Sequence, residues 1–211
     1  MRVRLGSLEP RTVTEDFCQR LKGLPNLCPH FHLSMQSGCD ETLARMKRKY
    51  DTARYYESVE LLRKHIDRPG ITTDMIVGFP RETEEEFEQT LAFIRKCGFS
   101  QMHIFPYSRR QGTPAAAMTG QLTTAEKAER GHRGAEVAEA MQKSWLTGWV
   151  GQTVPVLFEE EKEGFWRGYT PQYVEVKVQS DRDLHNQLHA VAVTAAGNNE
   201  VFGRLLEEEP T

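Results

Sequence analysis

Residues 71–87 read ITTDMIVGFPRETEEEF, and this stretch decides the fold class. Its beginning is typical of a strand, which the Gly-Phe-Pro sequence ends. Thr83 and Glu86 have the spacing of a capping box, so a helix is expected to begin there. A second strand is expected at residues 101–107. Strand, helix and strand in this order predict a parallel βαβ unit.

The same alternation extends towards the amino terminus. Apolar and polar residues alternate at the start of the chain, which predicts a strand, and residues 31–36 predict another. Thr12 with Glu15 forms a further capping box, while Asp40 and Thr52 are expected to cap two more helices. Four parallel strands do not close a barrel. The front of the chain is therefore expected to be α/β, with βα units that form either part of a TIM-like barrel or a doubly wound sheet.

Towards the carboxyl terminus the pattern changes twice. Thr123 and Glu126 begin a long polar helix, and short strands separated by turns follow it. About five such strands predict a small antiparallel barrel that is similar to an OB-fold. The predicted domains are a partial barrel at 1–120, a linker helix at 121–150 and a β-domain at 151–207.

The composition is typical of a soluble globular protein, with 38% hydrophobic and 27% charged residues. No apolar run approaches the roughly 18 residues that a membrane span needs, and the first residues match no targeting signal. A cytoplasmic protein is expected. Residues 151–211 contain five Lys/Arg and eleven Asp/Glu, a balance of −6 within a total of −3. A polyanion is therefore expected to meet residues 1–150 first.

The four cysteines have a spacing that fits no zinc, redox-pair or cluster pattern. They are expected to be scattered reduced thiols, and no metal site is predicted. Three histidines in or beside strands are packed or surface residues on one interpretation, and ligands or bases on the other. The residues concerned are Cys18, Cys28, Cys39 and Cys97, and His30, His32 and His103.

Polar side chains lie at the ends of the predicted strands, where parallel α/β folds place their sites. They offer hydrogen-bonding groups, but no acid/base pair, Schiff-base lysine or Ser-His-Asp order. No catalytic residue is therefore assigned. These strand-end residues are Ser7, Glu9, Ser34, Gln36, Asp74, Tyr107, Ser108 and Arg109.

Four segments resemble, in their order and spacing, the radical S-adenosylmethionine methylthiotransferases. They are Ser7–Pro10, His32–Asp40, Ile71–Pro80 and Tyr107–Ala116. Residues 1–120 are similar to the rear half of that family's radical barrel, and residues 151–207 to its TRAM domain. Ser7–Pro10, Cys39 and Phe105–Ser108 most resemble the branch that modifies threonylcarbamoyladenosine in tRNA.

The resemblance implies transfer of a methylthio group to C2 of adenosine 37, with S-adenosylmethionine and two [4Fe-4S] clusters as cofactors. The implied partner is tRNA, through its anticodon stem-loop. Ser34 and Gln36 would face the ribose or methionine part of the cofactor, and the strand around Ile76 and Gly78 would flank its adenine. The full set expected to bind the cofactor is Ser34, Gln36, Asp74, Ile76, Gly78 and Tyr107.

Basic residues are the other expected contacts, because phosphate neutralisation needs a cluster of them near the site. A basic run is also often a solvated helix face. The expected RNA-binding residues are Arg45, Arg48, Lys49, Arg109, Arg110 and Arg167. In the β-domain, aromatic residues either stack on bases or fill the core, and both interpretations stay open. They are Phe165, Trp166, Tyr169 and Tyr173.

Two departures limit the resemblance. Arg81 stands where the family commonly has Gly, and the three-cysteine radical motif, the front of the barrel and the amino-terminal cluster domain are absent. The chain is therefore expected to be a carboxyl-terminal fragment, inactive alone, whose partner is the missing amino-terminal part. The alternatives are the isopentenyladenosine or ribosomal-protein branch, a stand-alone RNA-binding module and an unrelated barrel enzyme.

Overall fold

The computed structural model describes residues 1–206, so the expected domain end at residue 207 lies outside it. The chain forms a four-stranded parallel sheet with helices on one face and a closed five-stranded barrel. The strands are β1 (Val3–Leu8), β2 (Leu27–Leu33), β3 (Gly70–Val77), β4 (Gln101–Pro106), β5 (Thr153–Lys162), β6 (Phe165–Tyr169), β7 (Glu175–Val178), β8 (Leu188–Ala196) and β9 (Glu200–Leu205). The helices are α1 (Glu15–Lys22), α2 (Asp40–Arg45), α3 (Thr52–His65), α4 (Glu84–Cys97), α5 (Pro114–Ala117) and α6 (Thr124–Thr147).

The parallel sheet has the order β1-β2-β3-β4, so each strand pairs with the next in sequence. The pairing of β3 with β4 is regular and places Asp74 beside His103 and Ile76 beside Phe105. Parallel neighbours need crossover connections, which α1, α3 and α4 supply. The α/β class with a parallel sheet, expected from the sequence, is confirmed.

The two faces of the sheet differ in burial. Phe31 and Leu33 are fully buried under the helices, whereas His32 and Ser34, which alternate with them, are half buried on the opposite face. This is the two-residue period of a strand. Each large apolar side chain buried on the helix side contributes about 1.5–3 kcal/mol. His32 and Ser34 therefore lie on the face opposite the helices, whereas Thr73 of β3 is a polar residue buried on the helix side, next to Tyr55.

Two of the expected capping boxes are present. Thr83 and Glu86 exchange side-chain and backbone hydrogen bonds at the start of α4, and Thr123 and Glu126 do the same at the start of α6. Gly98 ends α4 in a left-handed conformation, with φ at 60°. Only glycine adopts this conformation without a steric cost. These helix boundaries follow from local sequence alone.

The capping box expected at Thr12 and Glu15 is wrong. Residues 10–12 form a short 3-10 turn that Pro10 favours, so α1 begins later. Thr14 is the cap, and its side-chain oxygen accepts a hydrogen bond from the Phe17 backbone N–H at 3.2 Å. The turn uses the residues that would otherwise have begun the helix.

The expected caps of α2 and α3 are each displaced by one residue. Asp51 caps α3 by accepting from the Arg54 backbone N–H at 2.7 Å, and Thr52 is the first helical residue. Cys39 occupies the cap position of α2. Asp40 instead accepts from the Thr52 backbone N–H at 2.7 Å. A carboxylate thus joins the two helices rather than capping one of them.

The barrel is closed in the order β5-β6-β7-β9-β8. Four of its pairings are antiparallel, but β7 and β9 run parallel, which corrects the wholly antiparallel expectation. Val156, Phe158 and Val176 fill its interior, and Trp166 is buried with them. Trp166 is therefore a core residue, whereas Tyr173 is exposed.

The barrel contacts the amino end of the parallel sheet. Arg2 donates to the Tyr169 carbonyl at 2.9 Å, and Arg4 donates to the Thr170 carbonyl at 3.2 Å. The guanidinium of Arg4 also lies 4.7 Å from the ring centre of Tyr173. Both arginines belong to the edge strand β1 or directly precede it, so side chains from the edge of the sheet hold the barrel.

Among residues 1–206, no helix is long and apolar enough to cross a membrane.

Candidate functional site

A cavity of about 610 Å³ lies where β3 and β4 end. We call it the carboxyl-end cavity. Its size is within the range of small-molecule sites, which are commonly 300–1,000 Å³. The lining residues are Gln36, Asp74, Ile76, Phe105, Pro106, Tyr107, Ser108, Arg110, Thr113 and Ala115. Four of the six residues expected to bind the cofactor therefore lie together: Gln36, Asp74, Ile76 and Tyr107.

Gln36 is held at this cavity by the backbone. Its N–H donates to the Asp74 carbonyl, and the Ile76 N–H donates to the Gln36 carbonyl, both at 2.9 Å. One residue thus bridges to β3 beyond the end of β2. Gln36 also has a φ of 69°, a left-handed conformation that costs a non-glycine residue of order 1 kcal/mol or more. The surrounding hydrogen bonds fix this strained residue at the mouth of the cavity.

His32 orients Asp74. Its Nε2 lies 3.3 Å from Asp74 Oδ2, and its Nδ1 lies 3.1 Å from the Thr72 hydroxyl. When Nε2–H donates to the carboxylate, Nδ1 accepts from Thr72, so one tautomer satisfies both contacts. The sequence left the role of this histidine open. The three residues lie on one face of two adjacent strands, and that proximity appears only once the strand register is known.

Ser34 and Gly78 lie outside the residues that line the cavity. The Ser34 backbone N–H donates to the Leu8 carbonyl at 3.0 Å, and its own carbonyl accepts from the Tyr50 hydroxyl at 3.0 Å. Gly78 has a φ of 70°, and a Cβ there would collide with the side chain of Lys127. Glycine is required at this position by conformation and by close packing.

A buried ion pair supports the turn after β3. The Gly78 backbone N–H donates to Glu82 Oε2 at 2.7 Å, and Arg130 donates to the same oxygen at 2.7 Å. Burial raises the pKa of the Glu82 carboxyl, although the hydrogen bonds from Gly78 and Arg130 lower it. Arg130 also donates to the Glu82 carbonyl at 3.0 Å. The segment that precedes α4 and the second turn of α6 are therefore tied to the turn after β3.

Arg81, which replaces the glycine common in the family, keeps a left-handed conformation with a φ of 66°. Its backbone N–H donates to the Gly120 carbonyl at 2.7 Å, and its guanidinium donates to the Thr119 hydroxyl at 2.7 Å. These contacts offset the conformational strain. The substitution thus adds a charge whose side chain is bound to the 119–120 segment.

The residues expected to bind RNA fall into two groups. Arg45 forms an ion pair with Glu86, which lowers the pKa of that carboxyl, and Arg167 lies 3.7 Å from Glu163 and 3.8 Å from Glu175. Their charges are compensated within the chain. The others have no ion-pair partner among residues 1–206 and are exposed. They are Arg48, Lys49, Arg109 and Arg110.

Arg109 and Arg110 belong to the loop that follows β4. Arg109 Nε donates to the Ala116 carbonyl at 2.8 Å, which closes this loop over α5. Arg110 lines the carboxyl-end cavity. The cavity therefore has a cation at its edge beside polar and apolar lining residues. A negatively charged ligand group, such as a carboxylate or a phosphate, would pair with that cation.

The cysteines do not form a cluster site within the described chain. All four are buried and unpaired. Burial raises the pKa of the Cys39 thiol, which donates to Glu41 at 3.0 Å. Over residues 1–206, no group of three or more His, Cys, Asp and Glu side chains is arranged to hold a metal ion. The residues present thus do not fit an iron-sulfur cluster.

Residues 2–94 match the family model of the radical SAM superfamily. The chain is 34% identical to the threonylcarbamoyladenosine tRNA methylthiotransferase MtaB of Bacillus subtilis, over all of this chain and 48% of that protein. It is 37% identical to MtaB of Thermotoga maritima, over 95% of this chain and 46% of the relative. The chain thus spans about half the length of these curated relatives.

A second group of relatives is named for a different modified adenosine. The tRNA-2-methylthio-N(6)-dimethylallyladenosine synthase of Methylacidiphilum infernorum is 40% identical over 77% of this chain and 35% of that protein. Among solved structures, coproporphyrinogen III oxidase of Escherichia coli, a radical SAM enzyme, aligns with a TM-score of 0.55 at 16% identity. That alignment covers 72% of this chain and 34% of the other, and it shows the fold alone. Residues 2–94 thus match the radical SAM superfamily, and over its whole length the chain is similar to tRNA methylthiotransferases.

Proposed function

We propose that the chain is part of an enzyme that transfers a methylthio group to C2 of N6-threonylcarbamoyladenosine at position 37 of tRNA. The observation that carries this proposal is the carboxyl-end cavity, which gathers Gln36, Asp74, Ile76 and Tyr107 in a chain similar to MtaB along its whole length. Under the proposal, residues 1–120 belong to a radical SAM barrel, and residues 151–207 are a TRAM domain of OB-like type. The cytoplasmic location stays a prediction.

The cavity suits the adenosine part of S-adenosylmethionine. Asp74 and Gln36 offer oxygen acceptors and an amide donor for ribose hydroxyls, and Ile76 and Phe105 offer an apolar wall for the base. His32 holds the Asp74 carboxylate in place. When bound to a reduced cluster, S-adenosylmethionine supplies a carbon radical. The task of these side chains is to bind and orient the nucleoside.

Residues 1–206 contain no group of three or more His, Cys, Asp and Glu side chains that could hold a metal ion. Under the proposal the iron-sulfur clusters are held by another part of the polypeptide, the amino-terminal partner expected from the sequence, and this chain is inactive alone. Anaerobic reconstitution of the chain with iron and sulfide is expected to give no cluster absorbance. A stoichiometric cluster signal would refute this assignment of the ligands.

The tRNA contact is assigned to the basic residues whose charge is not compensated. These are Arg48, Lys49, Arg109 and Arg110, of which Arg110 lines the cavity itself. A phosphate bound beside the cavity would bring the neighbouring base towards it. Arg45 has a different task, because its ion pair with Glu86 joins α2 to α4. Arg167 is also excluded from the tRNA contact, because Glu163 and Glu175 of the barrel compensate its charge.

The isopentenyladenosine branch is the second candidate, because relatives named for that nucleoside have sequence identities to this chain as high as those of the first branch. Three anticodon stem-loops that differ only at position 37 separate the two. Fluorescence anisotropy is expected to show tighter binding with threonylcarbamoyladenosine than with unmodified adenosine or isopentenyladenosine. Tighter binding of the isopentenyl form would assign the chain to the other branch.

A further inference from the structure

A second cavity, of about 440 Å³, lies between the amino end of the parallel sheet and the barrel. We call it the junction pocket. The sheet contributes His30, Thr72, Gln101 and His103, α6 contributes Gln142 and Trp145, and the barrel contributes Tyr169, Gln172, Tyr173, Glu175 and Asn199. The carboxyl-end cavity and the junction pocket share no lining residue, so the two are distinct.

Carboxamides dominate the polar lining of the junction pocket. None of the side chains of Gln101, Gln142, Gln172 and Asn199 hydrogen-bonds to another group of the described chain. His30 is 9% exposed, and neither of its ring nitrogens has a partner within residues 1–206. Buried polar groups normally have partners, so His30 is an exception. The carboxamides are half buried, except for that of Asn199, which is exposed. The pocket is therefore rich in hydrogen-bonding capacity that the chain does not use.

The charge of the junction pocket argues against an anionic ligand. No lysine or arginine lines it, and Glu175 is its only carboxylate. Two arginines lie beside its aromatic side chains, Arg4 at 4.7 Å from the ring centre of Tyr173 and Arg68 at 5.3 Å from that of Trp145, but neither lines the pocket. The matching ligand is neutral and carries donors and acceptors side by side, as the edges of nucleobases do.

Aromatic side chains give the junction pocket flat walls. The rings of Tyr169 and Tyr173 are stacked, with centres 4.8 Å apart and planes inclined by 18°, and Tyr173 is exposed. Unstacked RNA bases are commonly bound by stacking on aromatic rings and by hydrogen bonds to their edges. Aromatic rings and side-chain amides line the same cavity.

Strand β4 connects the two cavities. His103 lines the junction pocket, and Phe105, which points to the same face two residues later, lines the carboxyl-end cavity. Both are exposed, and their ring centres are 6.4 Å apart. Aromatic side chains at this spacing form the kind of platform on which successive bases of a single strand stack. One RNA strand can therefore contact both cavities.

We propose that the junction pocket binds an unstacked nucleobase of the RNA strand that presents its target adenosine to the carboxyl-end cavity. The choice of RNA as the ligand rests on the proposed function. The assignment of the pocket as a base-binding site rests on its unused carboxamides, its stacked tyrosines and the absence of lysine and arginine from its lining. Its occupant is recognised through hydrogen bonds and stacking, and phosphate contacts are made elsewhere.

The first test titrates the chain with adenosine, guanosine, cytidine and uridine, and follows the side-chain amide NMR signals of Gln101 and Gln142. At least one nucleoside is expected to shift both signals saturably, and its 5′-monophosphate is expected to bind no tighter. Replacing both residues by Ala (Q101A/Q142A) should weaken this binding about tenfold. The matched control is Gln179→Ala, which truncates an exposed glutamine of the barrel outside the pocket.

The second test measures a seven-nucleotide single-stranded RNA by fluorescence anisotropy at several salt concentrations. Q101A/Q142A should lower affinity about tenfold, because hydrogen bonds to the edge of the base are lost. The slope of affinity against salt should not change, since that slope reports phosphate contacts. Gln179→Ala should change neither quantity.

The outcomes separate this inference from the proposed function. Nucleoside binding without RNA binding would keep the pocket and contradict the proposed function. RNA binding that Q101A/Q142A leaves unchanged would overturn the pocket assignment, and so would amide signals that no nucleoside moves. Saturation by maltose but by no nucleoside would assign the pocket to a sugar instead.

Discussion

The carboxyl end and the amino end of the parallel sheet differ in how their polar groups are satisfied, although the same strands build both. At the carboxyl end, both ring nitrogens of His32 are paired, with Thr72 and Asp74, and the backbone of Gln36 is bonded to β3, whereas the Tyr107 hydroxyl is buried without a partner in the described chain. At the amino end, His30 is buried with neither ring nitrogen hydrogen-bonded in the described chain. Held polar groups suit a site that orients its ligand, whereas unused ones suit a site that the ligand completes.

The largest expected effect concerns the buried ion pair that supports the carboxyl end. Arg130→Met leaves Glu82 buried without its cation and should reduce the free energy of unfolding by about 3–5 kcal/mol. Urea unfolding at pH 7 measures the loss. The double variant E82Q/R130M should recover part of it, because no uncompensated charge remains. A full loss in the double variant would show that packing, not charge, is responsible.

The amino end should respond to pH through His30. Burial, and then Arg4 and His32, lower the pKa of this histidine to about 4 from an ordinary 6.5. A lowered folded-state pKa means that the unfolded chain binds the proton more tightly. The stability contributed by neutral His30 is therefore present above pH 6.5 and lost as the pH falls towards 4, up to about 3 kcal/mol.

The matched measurement compares unfolding free energies of the wild type, His30→Phe and His132→Phe at pH 7.5 and 4.5. His132→Phe is the control for the replacement itself, because His132 is an exposed histidine of α6. His30→Phe should lose the part due to this histidine. An identical pH dependence in all three proteins would contradict the buried, neutral His30.

A smaller effect is expected at the turn after β3. Gly78→Ala places a methyl group against Lys127 and forces alanine into a left-handed conformation. The expected loss is about 1–3 kcal/mol in urea unfolding. G78A/K127A should recover the steric part and keep the conformational cost of about 1 kcal/mol. Equal losses in both variants would show that Lys127 yields without cost.

The smallest effect separates free from compensated charges around the carboxyl-end cavity. Arg48→Ala should weaken binding of an anticodon stem-loop and reduce the slope of log affinity against log salt by somewhat less than one unit. Arg45→Ala should leave the slope unchanged, because Glu86 already compensates that charge. Equal slopes for the two variants would remove Arg48 from the RNA contact.

Local signals in the sequence predicted much of this fold. The T-x-x-E patterns at Thr83 and Thr123 are sufficient to begin helices, and Gly98 to end one. The same pattern at Thr12 was misleading because Pro10 makes a competing turn. The parallel pairing of β7 with β9 was also missed, since alternation along a strand does not reveal the direction of its neighbour.

The candidate site was only partly predictable for a related reason. Polar residues after strand ends identified Gln36 and Tyr107, because parallel strands end at a common edge. Asp74, which was also expected at a strand end, lies within β3 and reaches the cavity from the face of the sheet. The contact of His32 with Asp74 joins residues forty-two positions apart, and the Arg45–Glu86 pair joins residues forty-one apart. The junction pocket combines the sheet, α6 and the barrel. Such constellations depend on tertiary packing, of which the sequence pattern carries no local trace.

Binding of S-adenosylmethionine to the carboxyl-end cavity tests the central claim most directly. Isothermal titration calorimetry of the chain is expected to show one saturable site, weakened about tenfold in Asp74→Ala because the ribose hydroxyls lose their carboxylate. Gln101→Ala, at the other end of the sheet, should bind as the wild type does. Absence of binding, or binding that Asp74→Ala leaves unchanged, would contradict the assignment of this cavity to the cofactor.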